Sequence, residues 1–274
     1  MSKEYVFPVY NLIKPLGGIS KPILISIPHA GTEFPAGTRE HYQPDAVSKL
    51  DDTDWFVDRL YSFATNQGIT IIKANYSRWL IDLNRDIHSK ALYNDGRAIT
   101  DLIPAKSFSG TNIYLPGKEP DKAERERRIN EYYKPYYKII ADVLTALKSK
   151  FGKALLFDAH SIKSSVSSIS NEPFKALTLG TVDEKSAAKG IINVAEKVLS
   201  DSAFSFSHNS PFKGGNITRS FAQPLKNIHS MQLEITQSSY MDEKGIIFLP
   251  RRASKLQSVL EQMFEQISST MKRL

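Results

Sequence analysis

Ala154-Leu155-Leu156-Phe157-Asp158-Ala159-His160-Ser161 is the stretch on which the fold turns. A short apolar run that stops at polar residues reads as a buried strand, because a helix needs about ten residues or more. The same form recurs in Ile23-Leu24-Ile25-Ser26-Ile27, which stops at Pro28-His29. Thr70-Ile71-Ile72-Lys73-Ala74 follows Gly68, Trp79-Leu80-Ile81-Asp82-Leu83 comes soon after, and Met231-Gln232-Leu233-Glu234-Ile235 completes the strand set. Helices are expected between them. Asp54 to Gln67 carries an apolar stripe (Trp55, Val57, Leu60, Tyr61, Ala64) closed by Gly68. Asp121 to Phe151 is a long helix that Pro135 should kink or break, and Ser186 to Leu199 and Ala253 to Met271 are amphipathic. Helices alternating with buried short strands imply an α/β sheet covered by helices on both faces.

The 274 residues contain no repeat, low-complexity tract or convincing linker, so one domain over 1–274 is expected. With 41% hydrophobic and 24% charged residues the chain is not disordered. The absence of Cys excludes disulfides, Cys-ligated metal and a thiol nucleophile, so a metal site must use His and carboxylates. The formal charge of +7 favours anionic partners. Its basic runs (Arg125-Glu126-Arg127-Arg128, Arg251-Arg252, Lys272-Arg273) are too short or too mixed with acids to argue for nucleic acid. No apolar stretch approaches the about 20 residues of a membrane span. Met1-Ser2-Lys3-Glu4-Tyr5 lacks the form of a signal peptide, which leads to the expectation of a soluble cytoplasmic protein, a monomer or small homo-oligomer.

In such sheets the active site lies beyond the carboxyl ends of the strands. Two strands run into His29 and His160, out of only six His in the chain, and Asp158 is placed to orient a ligand. Asp51-Asp52-Thr53-Asp54 supplies carboxylates that either cap a helix or ligate. Two His and one carboxylate with an open fourth position make a hydrolytic zinc site. Arg78, Asn84 and Arg85 flank the 79–83 run, and Arg pairs with carboxylates bidentately. Asp82 is expected to pair with one of these Arg. Gly214-Gly215 permits close backbone approach, and with Lys213 and Arg219 that loop could hold an anion. Glu234, inside an apolar strand, is costly to bury and is a candidate general base. Residues 86 to 120 read as a long ordered loop of the kind that often carries function.

Together these clusters resemble the N-formylglutamate amidohydrolase family. The matching residues are Pro28-His29-Ala30-Gly31-Thr32, Asp52-Thr53-Asp54-Trp55 with Arg59-Leu60-Tyr61, and Tyr76-Ser77-Arg78 with Ile81-Asp82-Leu83-Asn84-Arg85. They continue with Asp158-Ala159-His160-Ser161, Phe212-Lys213-Gly214-Gly215 with Ile217-Thr218-Arg219, and Gln232-Leu233-Glu234. The resemblance, which extends to the related zinc carboxypeptidases and aspartoacylases, implies a mixed, mostly parallel sheet of zinc-carboxypeptidase-like type. It implies that His29 and His160 ligate a divalent metal, zinc by preference, that Glu234 activates water, and that Arg85 polarises the scissile carbonyl. Arg78, Asn84 and Arg219 would hold carboxylates, with Gly214 and Gly215 beside them. Carboxypeptidase-type sites place a Glu three residues after the first His. Here that position is Thr32, and Glu33 follows it, so Asp54 is the favoured third ligand, then Asp52, then Glu33. The implied reaction is hydrolysis of N-formyl-L-glutamate to L-glutamate and formate, a step of bacterial histidine degradation. Another N-acyl amino acid as substrate, a carboxypeptidase activity and a non-catalytic carboxylate-binding role are the alternatives.

Overall fold

A computed structural model describes residues 7–88, 90 and 100–273. Seven strands, β1 (Tyr10–Ile13), β2 (Ile23–Ile27), β3 (Thr70–Ala74), β4 (Ala154–Ile162), β5 (Leu177–Gly180), β6 (Phe206–His208) and β7 (Ile228–Thr236), form one sheet in the order β1-β3-β2-β4-β7-β5-β6. The four central strands β3, β2, β4 and β7 run parallel, while β1 and β5 pair antiparallel at their flanks and β6 runs parallel to β5. The sheet is therefore mixed and mostly parallel. The helices are α1 (Pro44–Lys49), α2 (Val57–Leu60), α3 (Lys122–Arg128), α4 (Lys134–Phe151), α5 (Lys189–Ser200), α6 (Asn216–Phe221) and α7 (Pro250–Arg273).

Strand alternation sorts the core into two layers. Ile23, Ile25, Leu155, Phe157, Leu233 and Ile235 pack with Ile191 and Val198 of α5 and with Leu256, Leu260 and Phe264 of α7. Leu24, Ile72 and Leu156 point the other way, against Tyr136, Ile140, Leu144 and Leu147 of α4. Helices thus cover both faces. The same alternation puts Asp158, His160, Gln232 and Glu234 on the α4 side, since their neighbours Phe157, Ala159, Met231, Leu233 and Ile235 belong to the opposite layer.

Two expectations are corrected. Trp79–Leu83 is no strand: it is an irregular segment whose apolar side chains are all buried in the α4-side layer. Its apolarity reported burial, not a ladder. The expected helix from Asp54 to Gln67 is broken into α2 and a 3-10 turn, Ser62–Thr65, after Phe56 takes a left-handed φ of 60°. The helix expected from Asp121 to Phe151 is interrupted just before Pro135, which sits in the first turn of α4. A π-helical turn, Ile129–Tyr133, joins α3 to α4 just before it, a wider register that accommodates the missing proline N–H. Of the loop expected at 86–120, residues 89 and 91–99 lie outside the described residues, and 100–120 form no helix or strand.

Candidate active site

The chemistry collects at the carboxyl ends of β2, β4 and β7. His29 lies two residues beyond β2, and its carbonyl receives the Asp54 N–H at 3.0 Å, which moors the 51–54 turn beside that strand end. The chain leaves β2 through Gly31, where a Cβ would meet the Tyr76 carbonyl at 2.4 Å, so only glycine fits. Parallel register between β4 and β7 sets His160 beside Glu234 and Asp158 beside Gln232.

His29, Asp54 and His160 converge. Each offers a ligand atom within 4.8 Å of the others, and all three are buried. Asp54 Oδ2 lies 3.2 Å from His160 Nδ1 and 3.8 Å from His29 Nδ1. The far nitrogen of each ring faces a second carboxylate: His29 Nε2 is 2.7 Å from Asp82 Oδ1, and His160 Nε2 is 3.1 Å from Asp158 Oδ2. A carboxylate beside each Nε2 atom orients the ring and turns Nδ1 toward Asp54, the arrangement that presents imidazoles to a metal. Burial, with the nearby Arg78 charge, pushes His29 down to about 4, so its ring is neutral and available as a ligand. For His160 burial acts downward, but Asp158 and Asp54 outweigh it and hold the group well above its usual value. Two imidazoles and a carboxylate converging from buried positions are a donor set that fits a divalent cation.

Of the three carboxylates weighed as third ligand, the structure brings only Asp54 to the two His. Its side chain caps no helix: Phe56 is the N-cap residue of α2, and no side chain caps that end. Asp52 instead accepts from Trp79 Nε1 at 2.9 Å and from the Phe108 N–H at 3.1 Å. Glu33 is tied by its backbone to Asn75 and Ser77, outside the group.

Asp82 is the residue the sequence reading undervalued. One oxygen holds His29, and the other receives Arg78 Nη2 at 2.6 Å, with Arg85 Nη1 at 3.7 Å. Burial acts to raise its pKa, but Arg78, Arg85 and His29 hold it well below the usual carboxylate range. Arg78 is itself buried, and its guanidinium lies 4.8 Å from the Phe108 ring centroid. Arg85 donates to Thr100 Oγ1 and to the Asn84 carbonyl. Asn84 Nδ2 sits 3.0 Å from His160 Nε2, while its Oδ1 accepts from the Ile217 N–H at 2.7 Å.

A cavity of about 620 Å³ opens over these groups. His29, Asp54, His160, Arg78, Asn84, Arg85, Gly215 and Glu234 line it, closed on one side by 104–110 and on another by 167–169. Glu234, half-buried, is pushed up to about 8, first by burial and then by the charge of Asp54. A carboxyl so raised exchanges a proton near neutrality. Gly215 is required by closeness: a Cβ there would stand 2.2 Å from Asn84 Nδ2. Gly214, at φ 118°, packs on Thr218 and Val182. Neither Gly214 nor Arg219 lines the cavity, and Arg219 Nε donates to the Gly214 carbonyl at 2.9 Å. Lys106, Phe108 and Gln232, which sequence reading did not single out, do line it. A Gln two residues before Glu234 on one strand face was the available signal for Gln232.

The family model for N-formylglutamate amidohydrolase matches residues 21–241, which contain every residue of this site. This chain belongs to that family. Two relatives bear the name N-formylglutamate deformylase. The one from Pseudomonas putida is 37% identical and the one from Pseudomonas aeruginosa 38%, each over 249 residues, 90% of this chain and 92% of the relative. The crystal structure of N-formylglutamate amidohydrolase from Ralstonia eutropha JMP134 superposes with a TM-score of 0.78 at 23% identity, covering 97% of both chains. The gene product Atu2144 from Agrobacterium tumefaciens superposes with a TM-score of 0.71 at 17% identity, covering 96% of this chain and 94% of that one. These two likenesses support the fold. No helix among the described residues is long and apolar enough to cross a membrane.

Proposed function

We propose that this chain hydrolyses N-formyl-L-glutamate to L-glutamate and formate, with a divalent metal, zinc by its donor set, and that it serves histidine degradation in the cytoplasm. The observation that carries the reading is the convergence of His29, Asp54 and His160 on one point of a cavity that Glu234 and two guanidinium groups also line. The deformylase names of the Pseudomonas relatives support the choice of substrate.

His29, Asp54 and His160 would hold the metal, which when bound lowers the pKa of water and polarises a carbonyl. Glu234 takes a proton from water, whose oxygen attacks the formyl carbon. Arg85 faces the carbonyl oxygen and stabilises the negative charge that develops there, where a fixed cation contributes most. As the carbon–nitrogen bond breaks, Glu234 returns the proton to the departing amine, leaving formate and L-glutamate. Arg78 and Asn84 hold one carboxylate of the substrate. Arg219 donates to the Gly214 carbonyl and does not line the cavity, so Lys106 and Lys90, which do, supply the further positive charge for the second carboxylate.

The experiment is formate release from N-formyl-L-glutamate by metal-stripped protein with and without added zinc, with N-acetyl-L-glutamate and N-acetyl-L-aspartate as controls. Release on zinc addition, selective for the formyl compound, is the expected result. No formate with metal supplied, or preference for an acetyl compound, overturns the assignment.

A further inference from the structure

Arg78, Asp82, Asn84 and Arg85 sit on a buried segment that belongs to no strand or helix, so its carbonyls must find donors elsewhere. Side chains supply them. Arg128 Nη1 donates to the Leu80 carbonyl at 2.8 Å, and the Tyr42 and Tyr114 hydroxyls approach the Trp79 carbonyl. On either side of Asn84, Tyr137 donates to the Leu83 carbonyl and Tyr133 to the Arg85 carbonyl, each at 2.9 Å. The two rings stack 4.1 Å apart. Tyr133 closes the π-helical turn and Tyr137 follows one turn later in α4.

Both hydroxyls accept from a single amide. Asn216 Nδ2 lies 2.9 Å from the Tyr133 oxygen and 2.7 Å from that of Tyr137. An amide nitrogen has two hydrogens, and both are used here. The next residue, Ile217, donates its N–H to Asn84 Oδ1, so the start of α6 grips Asn84 by its side chain while the tyrosines grip the carbonyls of its two neighbours, Leu83 and Arg85. Burial raises both phenols, which therefore remain hydrogen-bond donors.

We infer that Asn216 is a positioning residue: through Tyr133 and Tyr137 it fixes the backbone on both sides of Asn84, and thereby the placement of Asn84 and Arg85 against the substrate. The inference rests on the role proposed above for Arg85. Geometry at such a site is worth much, since displacement of a group by about 1 Å can cost a hundredfold in rate. Asn216→Asp is a near-isosteric reversal: a carboxylate offers no hydrogens, so both hydroxyls would turn to it and release the Leu83 and Arg85 carbonyls.

Two measurements test this. In the first, kcat/KM for formate release is compared for Tyr133→Phe in the native and in the Arg85→Ala backgrounds. A loss of about tenfold in the first and under twofold in the second is expected, because residues acting through one another are not additive. Equal loss in both backgrounds overturns the inference, since a merely structural weakening does not depend on Arg85. In the second, N-formyl-L-glutamate is titrated calorimetrically into metal-stripped native protein and Asn216→Asp. Binding weakened about fivefold or more supports the positioning role, and unchanged binding overturns it. If the native protein releases no formate, the proposed activity falls and the titration alone decides the inference.

Discussion

His29 Nε2 lies 2.7 Å from Asp82 Oδ1, and that contact joins the candidate metal site to the cavity-lining arginines. The other oxygen of Asp82 holds Arg78 at 2.6 Å. One carboxylate therefore orients an imidazole and neutralises a guanidinium. Replacing Asp82 by Asn keeps the shape but removes the charge that both partners face. Removing such a group behind a ligating His typically costs ten- to a hundredfold in metal affinity. Asp82→Asn should weaken zinc binding by about tenfold or more, as read by competition with a chelating dye. Native affinity in this variant would show that the contact does not orient His29.

The third ligand is decided by which acidic residue loses the metal when truncated. Asp54 reaches both His Nδ1 atoms, Asp52 is engaged with Trp79 and Phe108, and Glu33 stands outside the group. Asp54→Ala should abolish stoichiometric zinc binding, whereas Glu33→Ala should leave it intact. Asp52→Ala should act on stability instead, because it strands the buried Trp79 N–H, at a cost of about 1–3 kcal/mol. Zinc content after gel filtration and thermal denaturation of the three variants separate these outcomes. Retention of zinc by Asp54→Ala would move the assignment elsewhere.

Glu234 lines the same cavity yet is not one of the convergent ligands. In the role of proton carrier proposed for it, Glu234 is needed for turnover and not for holding the metal. Glu234→Gln should keep zinc stoichiometry and lower kcat by about a hundredfold or more, within the range general-base catalysis contributes. Full hydrolysis by the variant would remove Glu234 from the mechanism.

The parts of this fold and site that were legible in sequence share a cause: they depend on local pattern or residue type. β2 and β3 match the expected runs residue for residue, because Pro28 and the turn at Gly68 bound apolar segments of strand length. His29, His160 and Glu234 stood out because His and Glu are conspicuous at the ends of, or within, apolar strands. The strands of this sheet that were missed lacked that contrast: β1 alternates half-buried and exposed residues over Tyr10–Ile13, β5 is only Leu177–Gly180, and β6 is three half-buried residues, Phe206–His208. Trp79–Leu83 was misread because apolarity looks the same whether a chain's carbonyls go to a neighbouring strand or to Tyr42, Tyr114, Arg128 and Tyr137. The Asp82–His29 contact spans 53 positions, and the nearby arginines offered Asp82 a sufficient partner, so nothing local pointed to the histidine. For the same reason Gly215 could be read as a permissive turn, but not as the residue that makes room for Asn84.

His229 predicts how stability responds to acid away from the site. It is buried on β7, and its Nδ1 accepts the Ala188 N–H at 3.3 Å, so it is held neutral. Burial, with the charge of Lys153, lowers it to about 4 from the ordinary 6.5. Below 6.5 the unfolded chain takes up a proton that the folded chain refuses. The folded state binds fewer protons, so its stability falls with falling pH. The contribution is complete above 6.5 and is lost progressively as pH drops toward 4, by at most about 3 kcal/mol. Asn at this position can still accept the Ala188 N–H and has no proton to gain. His229→Asn should therefore shrink the difference in unfolding free energy between pH 7 and pH 4.5 by about 2 kcal/mol relative to the native chain, measured by urea denaturation. An undiminished difference would mean that His229 is already protonated, or free to become so, in the folded protein.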